Sequence, residues 1–188
     1  MAWRGNSSIL DRIYAGLPYL LPLAGASIYG VLLYQQVPWL LTVFLPFLYL
    51  KFFIQRGILP GPLGDLSLEF FVWLGLFIFV VRNQRLKHLI RFNAMQALMI
   101  DIAMALVQGI VQLFSLTLLP PAQFLISGLR NTEGNETSGV LFLLFGTIAS
   151  TVFFAATAIA FYSIVQTARG KYAEVPIISD AAYNMTRY

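Results

Sequence analysis

Four polar side chains, Asn93, Asp101, Gln108 and Gln112, punctuate one otherwise apolar stretch of the chain. At 100° per residue they fall, together with Ala97, within an arc of roughly 100° on a helix. Gln96 lies outside that arc, about 60° beyond Asn93 at the same helical pitch. Three amides and a carboxyl on one face can lock neighbouring helices together by hydrogen bonds, with Asp101 protonated or paired. They can equally line a watery path for a substrate. Turned toward lipid they would stay unsatisfied, at about 2.5–3.5 kcal/mol for a central Asp on insertion scales. The stripe is therefore expected to face inward, and both inward readings stay open.

Little other reactive chemistry is available. The chain has no cysteine and one histidine, His88, placed in a basic connection. Disulfides, thiolate metal sites and cysteine nucleophiles are excluded, and histidine clusters or Ser-His-Asp triads lack material. No catalytic residue, metal site or cofactor is expected, and the chain does not read as an enzyme. Net charge is +4, with no Lys/Arg run or aromatic-basic stripe to suggest nucleic acid. The positives instead face lipid headgroups and set topology.

The elements that carry the stripe belong to a membrane. The 188 residues are 59% hydrophobic and only 11% charged, against roughly 25% charged in soluble domains. Several apolar runs approach the ~20 residues a helix needs to cross the hydrocarbon. Five segments stand out: 13–34, 37–54, 66–81, 92–119 and 140–168. The second opens with Val37-Pro38, contains Pro46 and Lys51, and ends at the loop "RGILPGPLG". Charge placement decides whether it crosses. If it does not, the N-terminus, the 82–91 connection and the C-terminus share one side, with nine of the twelve Lys/Arg on the inside as the positive-inside rule requires. The expected fold is an all-α polytopic membrane protein, a single domain of four transmembrane helices. Segment 37–54 is then an interfacial or re-entrant helix, with Lys51 snorkelling to water and Glu69 at the outer interface. The start "MAWRGNSSILDR" lacks signal-peptide features, which suits a chain made in a bacterium or inside an organelle. The acceptor-like triplets Asn6-Ser7-Ser8 and Asn135-Glu136-Thr137 carry no weight there.

Packing cues are local. Pro18 and Pro22 predict a kink near Tyr19–Pro22, because each removes a backbone donor and crowds the preceding turn. Ala26 and Gly30 permit close helix approach. In the last span Gly146, Ser150, Ala156 and Ala160, with Ala149 and Ser163, form a candidate packing face within the monomer or between copies. Arg91 reads as an orienting charge at the membrane boundary.

"RIYAGLPYLLPL" at Arg12–Leu23, "VVRN" at Val80–Asn83 and "IRFNAMQALMIDI" at Ile90–Ile102 resemble the twenty-kilodalton subunit family of the Tic translocon of the chloroplast inner envelope. The resemblance runs from about Arg12 to Ala168 and points to the cyanobacterial or plastid-encoded branch. The family motif falls on Arg91, Phe92, Asn93, Gln96 and Asp101. The resemblance implies four membrane helices with both ends stromal or cytoplasmic. It implies residence in the inner envelope, or in a cyanobacterial plasma or thylakoid membrane. It also implies work within a protein-conducting complex, with other translocon subunits or copies of itself as partners and unfolded preprotein as cargo. Two other functions compete: a small-solute or ion transporter using Asp101, and a non-conducting scaffold for photosynthetic complexes. Transporters usually carry internal repeats with paired broken helices, and no segment repeats here.

Overall fold

The computed structural model describes residues 8–59, 66–115, 136–176 and 178–186, with the side chains of 111–115, 136–143 and 145 outside that description. Both acceptor asparagines and residues 116–119 of the fourth apolar segment fall outside the described residues. The chain is predominantly helical, and its apolar helices are in keeping with an all-α membrane protein. Two of them, His88–Ile110 and Gly146–Ala168, are long and apolar enough to cross a membrane, and Pro38–Ile54 and Leu68–Val81 are shorter apolar helices.

The first apolar segment is broken where its prolines require it. Helix α1 (Ile9–Gly16) starts on a capping box, with Ser8 Oγ accepting from Asp11 N–H and the Asp11 carboxylate accepting from Ser8 N–H. At Pro18 the chain tightens into a 3-10 turn over Leu17–Tyr19 and resumes as α2 (Leu20–Tyr29). Every α2 residue from Leu21 to Ser27 is buried. A helix buried all round is an internal element, and its Ala24, Gly25, Ala26 and Ser27 let neighbours approach closely. Gly30 ends α2, and α3 (Val31–Gln36) follows.

Pro38 occupies the first position of α4 (Pro38–Ile54), where its missing N–H costs nothing. Helix α4 turns back alongside α2, so Phe44 shares a cluster with Tyr29 and Tyr34 while Ile54 shares another with Leu21. A short antiparallel hairpin pairs β1 (Gly57–Leu59) with β2 (Leu66–Ser67). Helix α5 (Leu68–Gly75), capped by Ser67, winds into a π turn over Leu76–Val81. Then come α6 (His88–Ser115) and α7 (Glu136–Ala168). Gly170, at φ 71°, ends α7 in a Schellman turn, with Gly170 N–H donating to Thr167 O and Lys171 N–H to Gln166 O. That turn sends the chain back to α8 (Ile178–Thr186).

Helix α6 is the central post. Residues 89–98 are buried without interruption, ringed by α1, α2, α5, α7 and α8. Helix α7 buries Ala149, Phe153, Ala156, Ala160, Ser163 and Thr167 at a 3-4 spacing that keeps one seam inward. Ala149 and Phe153 lie against Tyr29, Tyr34 and Phe44, and Ala156 and Thr167 reach the post at Ala97 and Asn93. Small residues carry most of it, but Phe153 replaces a small one where α3 and α4 leave room. Ser150 stands beside the seam, half-buried. The opposite face exposes Phe154, Phe161, Tyr162 and Val165, as a lipid-facing surface requires.

One end of the bundle is tied by charge. Arg12 Nη1 donates to the last α7 carbonyl, Ala168 O, at 3.4 Å. Arg91 Nε donates to Val81 O at 2.9 Å, closing the end of the π turn. Both are cations at helix C-terminal ends. Lys87 pairs with Asp11. That ammonium, with Ser8, holds the Asp11 carboxyl down at about 2. The strap is therefore fully present above the ordinary carboxylate range and is lost only as pH falls toward 2.

At the other end, Tyr34 stands edge-on to Phe153 with centroids 5.9 Å apart, and its hydroxyl donates to Ser27 O at 2.8 Å. A Cβ on Gly30 would lie 2.6 Å from Tyr34 Cζ and 2.8 Å from Phe153 Cε2. Gly30→Ala is therefore expected to destabilise the bundle by about 1–3 kcal/mol through overpacking, read as a lower melting temperature in mild detergent. An unchanged melting temperature would mean that the ring swings aside freely.

Candidate functional site

The polar residues of α6 serve two separate places. The first is a sealed hub. Asn93 faces the 3-10 turn on one side and the end of α7 on the other. Its Oδ1 accepts from Tyr19 OH at 2.8 Å and from Thr167 Oγ1 at 3.0 Å. Its Nδ2 donates to Leu89 O, one turn back, at 2.8 Å. All three side chains are fully buried. Both Oδ1 lone pairs are thus used, and three chain segments meet on one amide. Gln96, one turn further on, is buried as completely, and neither of its amide atoms has a partner among the described residues. Ala97 packs into the apolar cluster around Tyr19, Ala26 and Ala156.

The second place is an open cleft of about 500 Å³ between α4, the start of α5 and α6. Lys51 comes from α4 and Gln55 caps its end, Ser67 caps the start of α5 and Glu69 lies in its first turn, and Asp101 and Gln108 come from α6. The Lys51 ammonium and the Glu69 carboxylate form an ion pair, their side chains only 12% and 20% exposed. Asp101 joins neither by a hydrogen bond, so two carboxyls share the cleft with one ammonium. Behind Asp101 stands Gly25: a Cβ there would meet Asp101 Oδ1 at 3.2 Å and Met104 Cε at 2.9 Å. The glycine makes room for the carboxyl against α2.

The predicted stripe is thus divided. Asn93 lies in the hub, Asp101 and Gln108 lie half-buried in the cleft, and the side chain of Gln112 lies outside the described ones. The motif residues Arg91, Phe92, Asn93 and Gln96 are all buried near the start of α6, while Asp101 stands apart from them.

Three expectations are corrected. His88 is not in a solvated loop but is the first residue of α6. It is half-buried among the rings of Phe92, Tyr172 and Tyr183, with Nδ1 3.1 Å from Tyr172 OH. The basic connection ends one turn earlier than its charges suggested, and the chain after α7 folds back to cover it. Lys51 is not a lone charge, because it pairs with Glu69 across the hairpin. Arg91, whose role in the sequence was orientation alone, also closes the π turn.

Sequence reasoning did not identify Tyr19 and Thr167 as partners of Asn93, since nothing local marks a hydroxyl as facing an amide some 74 residues away. A signal for the ion pair was present. One lysine and one glutamate, each within an apolar helix, flank the same Gly/Pro-rich loop. Among the described residues no group of three or more His, Asp or Glu comes together to hold a metal.

With this geometry in place, likeness to known proteins can be weighed. A family model described as "Chloroplast import apparatus Tic20-like" matches residues 8–127, taking in the hub's Tyr19 and Asn93 and the whole cleft. A Synechocystis protein named "Tic20 family protein" is 34% identical over 189 residues, covering 100% of both chains. The Arabidopsis thaliana "Protein TIC 20-II, chloroplastic" is 27% identical over 172 residues, covering 92% of this chain and 70% of the relative.

Proposed function

The chain belongs to the Tic20 family, and from that premise we propose that it is a membrane subunit of a protein-conducting translocon rather than an enzyme. Its partners are other translocon subunits or further copies of itself, and its cargo is unfolded preprotein. Its membrane is the chloroplast inner envelope or the homologous cyanobacterial membrane. The segments ending at Tyr34, starting at Leu66, and containing α6 and α7 cross it. Helix α4 re-enters without crossing, as its return alongside α2 supports. The end tied by Arg12, Lys87 and Arg91 lies on the stromal or cytoplasmic side, in keeping with positive charge inside.

The observation that carries the reading is the cleft. The centre of the bundle is packed around Asn93 and Phe92, so a polypeptide passes beside this chain and not through it. The cleft is where polar groups of α6 are reachable from outside. Asp101, Gln108 and the Lys51–Glu69 pair border the path and offer hydrogen bonds and charge to an extended chain that has none of its own satisfied.

A photoreactive residue at Gln108 is expected to capture a polypeptide arrested in transit, several times more often than one at Phe154 on the exposed face of α7. Equal capture at the two positions, or adducts with lipid alone at Gln108, would remove the cleft from the path.

A further inference from the structure

On the other side of α4 and α5 from the charged cleft lies a groove of different character. It has a volume of about 550 Å³ and is lined wholly by apolar side chains and Tyr14. Leu17 and Leu21 line it with Val72, Leu76 and Val80, and Leu50 and Ile54 come from α4. Leu86 and Ile90 line it too, and they bracket the end of the basic turn Arg82–Lys87. An apolar groove therefore adjoins a cluster of cations.

We propose that this groove binds one anionic glycerolipid, an acyl chain lying along Val80, Leu76 and Val72 and the headgroup anion held by Arg82 and Arg85. Size favours a chain over a helix or a second copy of the protein, because about 550 Å³ suits a single acyl chain. Charge selects the headgroup. Lys87 is engaged with Asp11, but Arg82 and Arg85 are exposed and form no ion pair among the described residues. Basic residues at a membrane surface attract acidic lipid, and two of them adjoin the mouth of a chain-sized slot. The lipid then packs against Leu50 and Ile54 of α4 on one side and Val72 and Leu76 on the other. This inference does not depend on the translocon reading, since it concerns a different face of the protein and no cargo.

The test uses the full chain in phosphatidylcholine vesicles, with a trace of phosphatidylglycerol carrying a diazirine in its acyl chain. A diazirine phosphatidylcholine is the comparison, and adducts are mapped by peptide mass spectrometry. The acidic probe is expected to label Leu17, Leu76 and Val80 well above the zwitterionic one, by roughly fivefold per arginine. The Arg82→Gln/Arg85→Gln variant, altered only at exposed positions, is expected to label equally with both probes while keeping its melting temperature. Equal labelling by both probes in the unaltered protein would overturn the proposal. A preference that survives the double substitution would overturn it too, as would adducts spread over Phe154, Phe161 and Val165 with no enrichment in the groove.

Discussion

Asn93→Leu is expected to lower the unfolding free energy of the bundle by about 2–4 kcal/mol, more than the loss of a single hydrogen bond would. The size follows from what is left behind. Leucine keeps the branching and the number of heavy atoms, though its two methyl groups are bulkier than the amide they replace, and the acceptor shared by Tyr19 OH and Thr167 Oγ1 disappears. Two buried hydroxyls then lack it, in surroundings where water does not compete. Single hydrogen bonds between membrane helices average about 0.6 kcal/mol, so the two donor deletions, Tyr19→Phe and Thr167→Val, are expected to be milder. The diagnostic result is their coupling. Adding Tyr19→Phe to Asn93→Leu is expected to cost little more than Asn93→Leu alone, because the orphaned donor has gone. Unfolding titrations in mixed detergent micelles measure all four corners of that cycle. Strict additivity would mean that the three groups do not act as one.

The other large effect is electrostatic and asymmetric. In the cleft one ammonium, on Lys51, faces two carboxyls, on Glu69 and Asp101. Lys51→Met removes the one cation among the described residues of the cleft and leaves two acids close together, with an expected loss of about 2–4 kcal/mol. The full cost of breaking a buried pair is somewhat larger, but the cleft is open and one acid can take up a proton. Glu69→Gln leaves Lys51 with Asp101 still nearby and is expected to cost no more than about 1 kcal/mol. The exchange Lys51→Glu/Glu69→Lys keeps the count of charges and is expected to recover most of the loss. Melting temperatures in detergent rank the three variants. Equal costs for Lys51→Met and Glu69→Gln would show that Asp101 does not share the cation.

Much of the fold is legible in the sequence because hydrocarbon imposes length and composition on whatever crosses it. The helix over Pro38–Ile54, the break beside Pro18 and the long helices starting near Arg91 and ending at Ala168 can all be read from apolar runs bounded by Pro, Gly and charge. Neighbours are harder to read. A wheel drawn through Asn93, Asp101 and Gln108 treats α6 as a cylinder with one wet or packed side. For residues 89–98 it has no outer side at all. Farther on it is only partly covered, so one arc passes from a sealed junction into an open cleft. His88 shows the same limit. Its surroundings come from Tyr172 and Tyr183, on a segment that the sequence describes only as a tail. The α7 seam was half legible. Ala149, Ala156, Ala160 and Ser163 mark it, but the sequence alone does not reveal that the line takes in Phe153 and leaves Ser150 half-buried beside it.

The segment after Gly170 closes a gap that the long helices leave. Tyr172, Ala182 and Tyr183 seat against Phe92 and its surroundings, so the start of the central helix takes one of its walls from chain that follows α7. Enclosure of the motif region therefore depends on a reversal at Gly170, and not on the membrane helices alone.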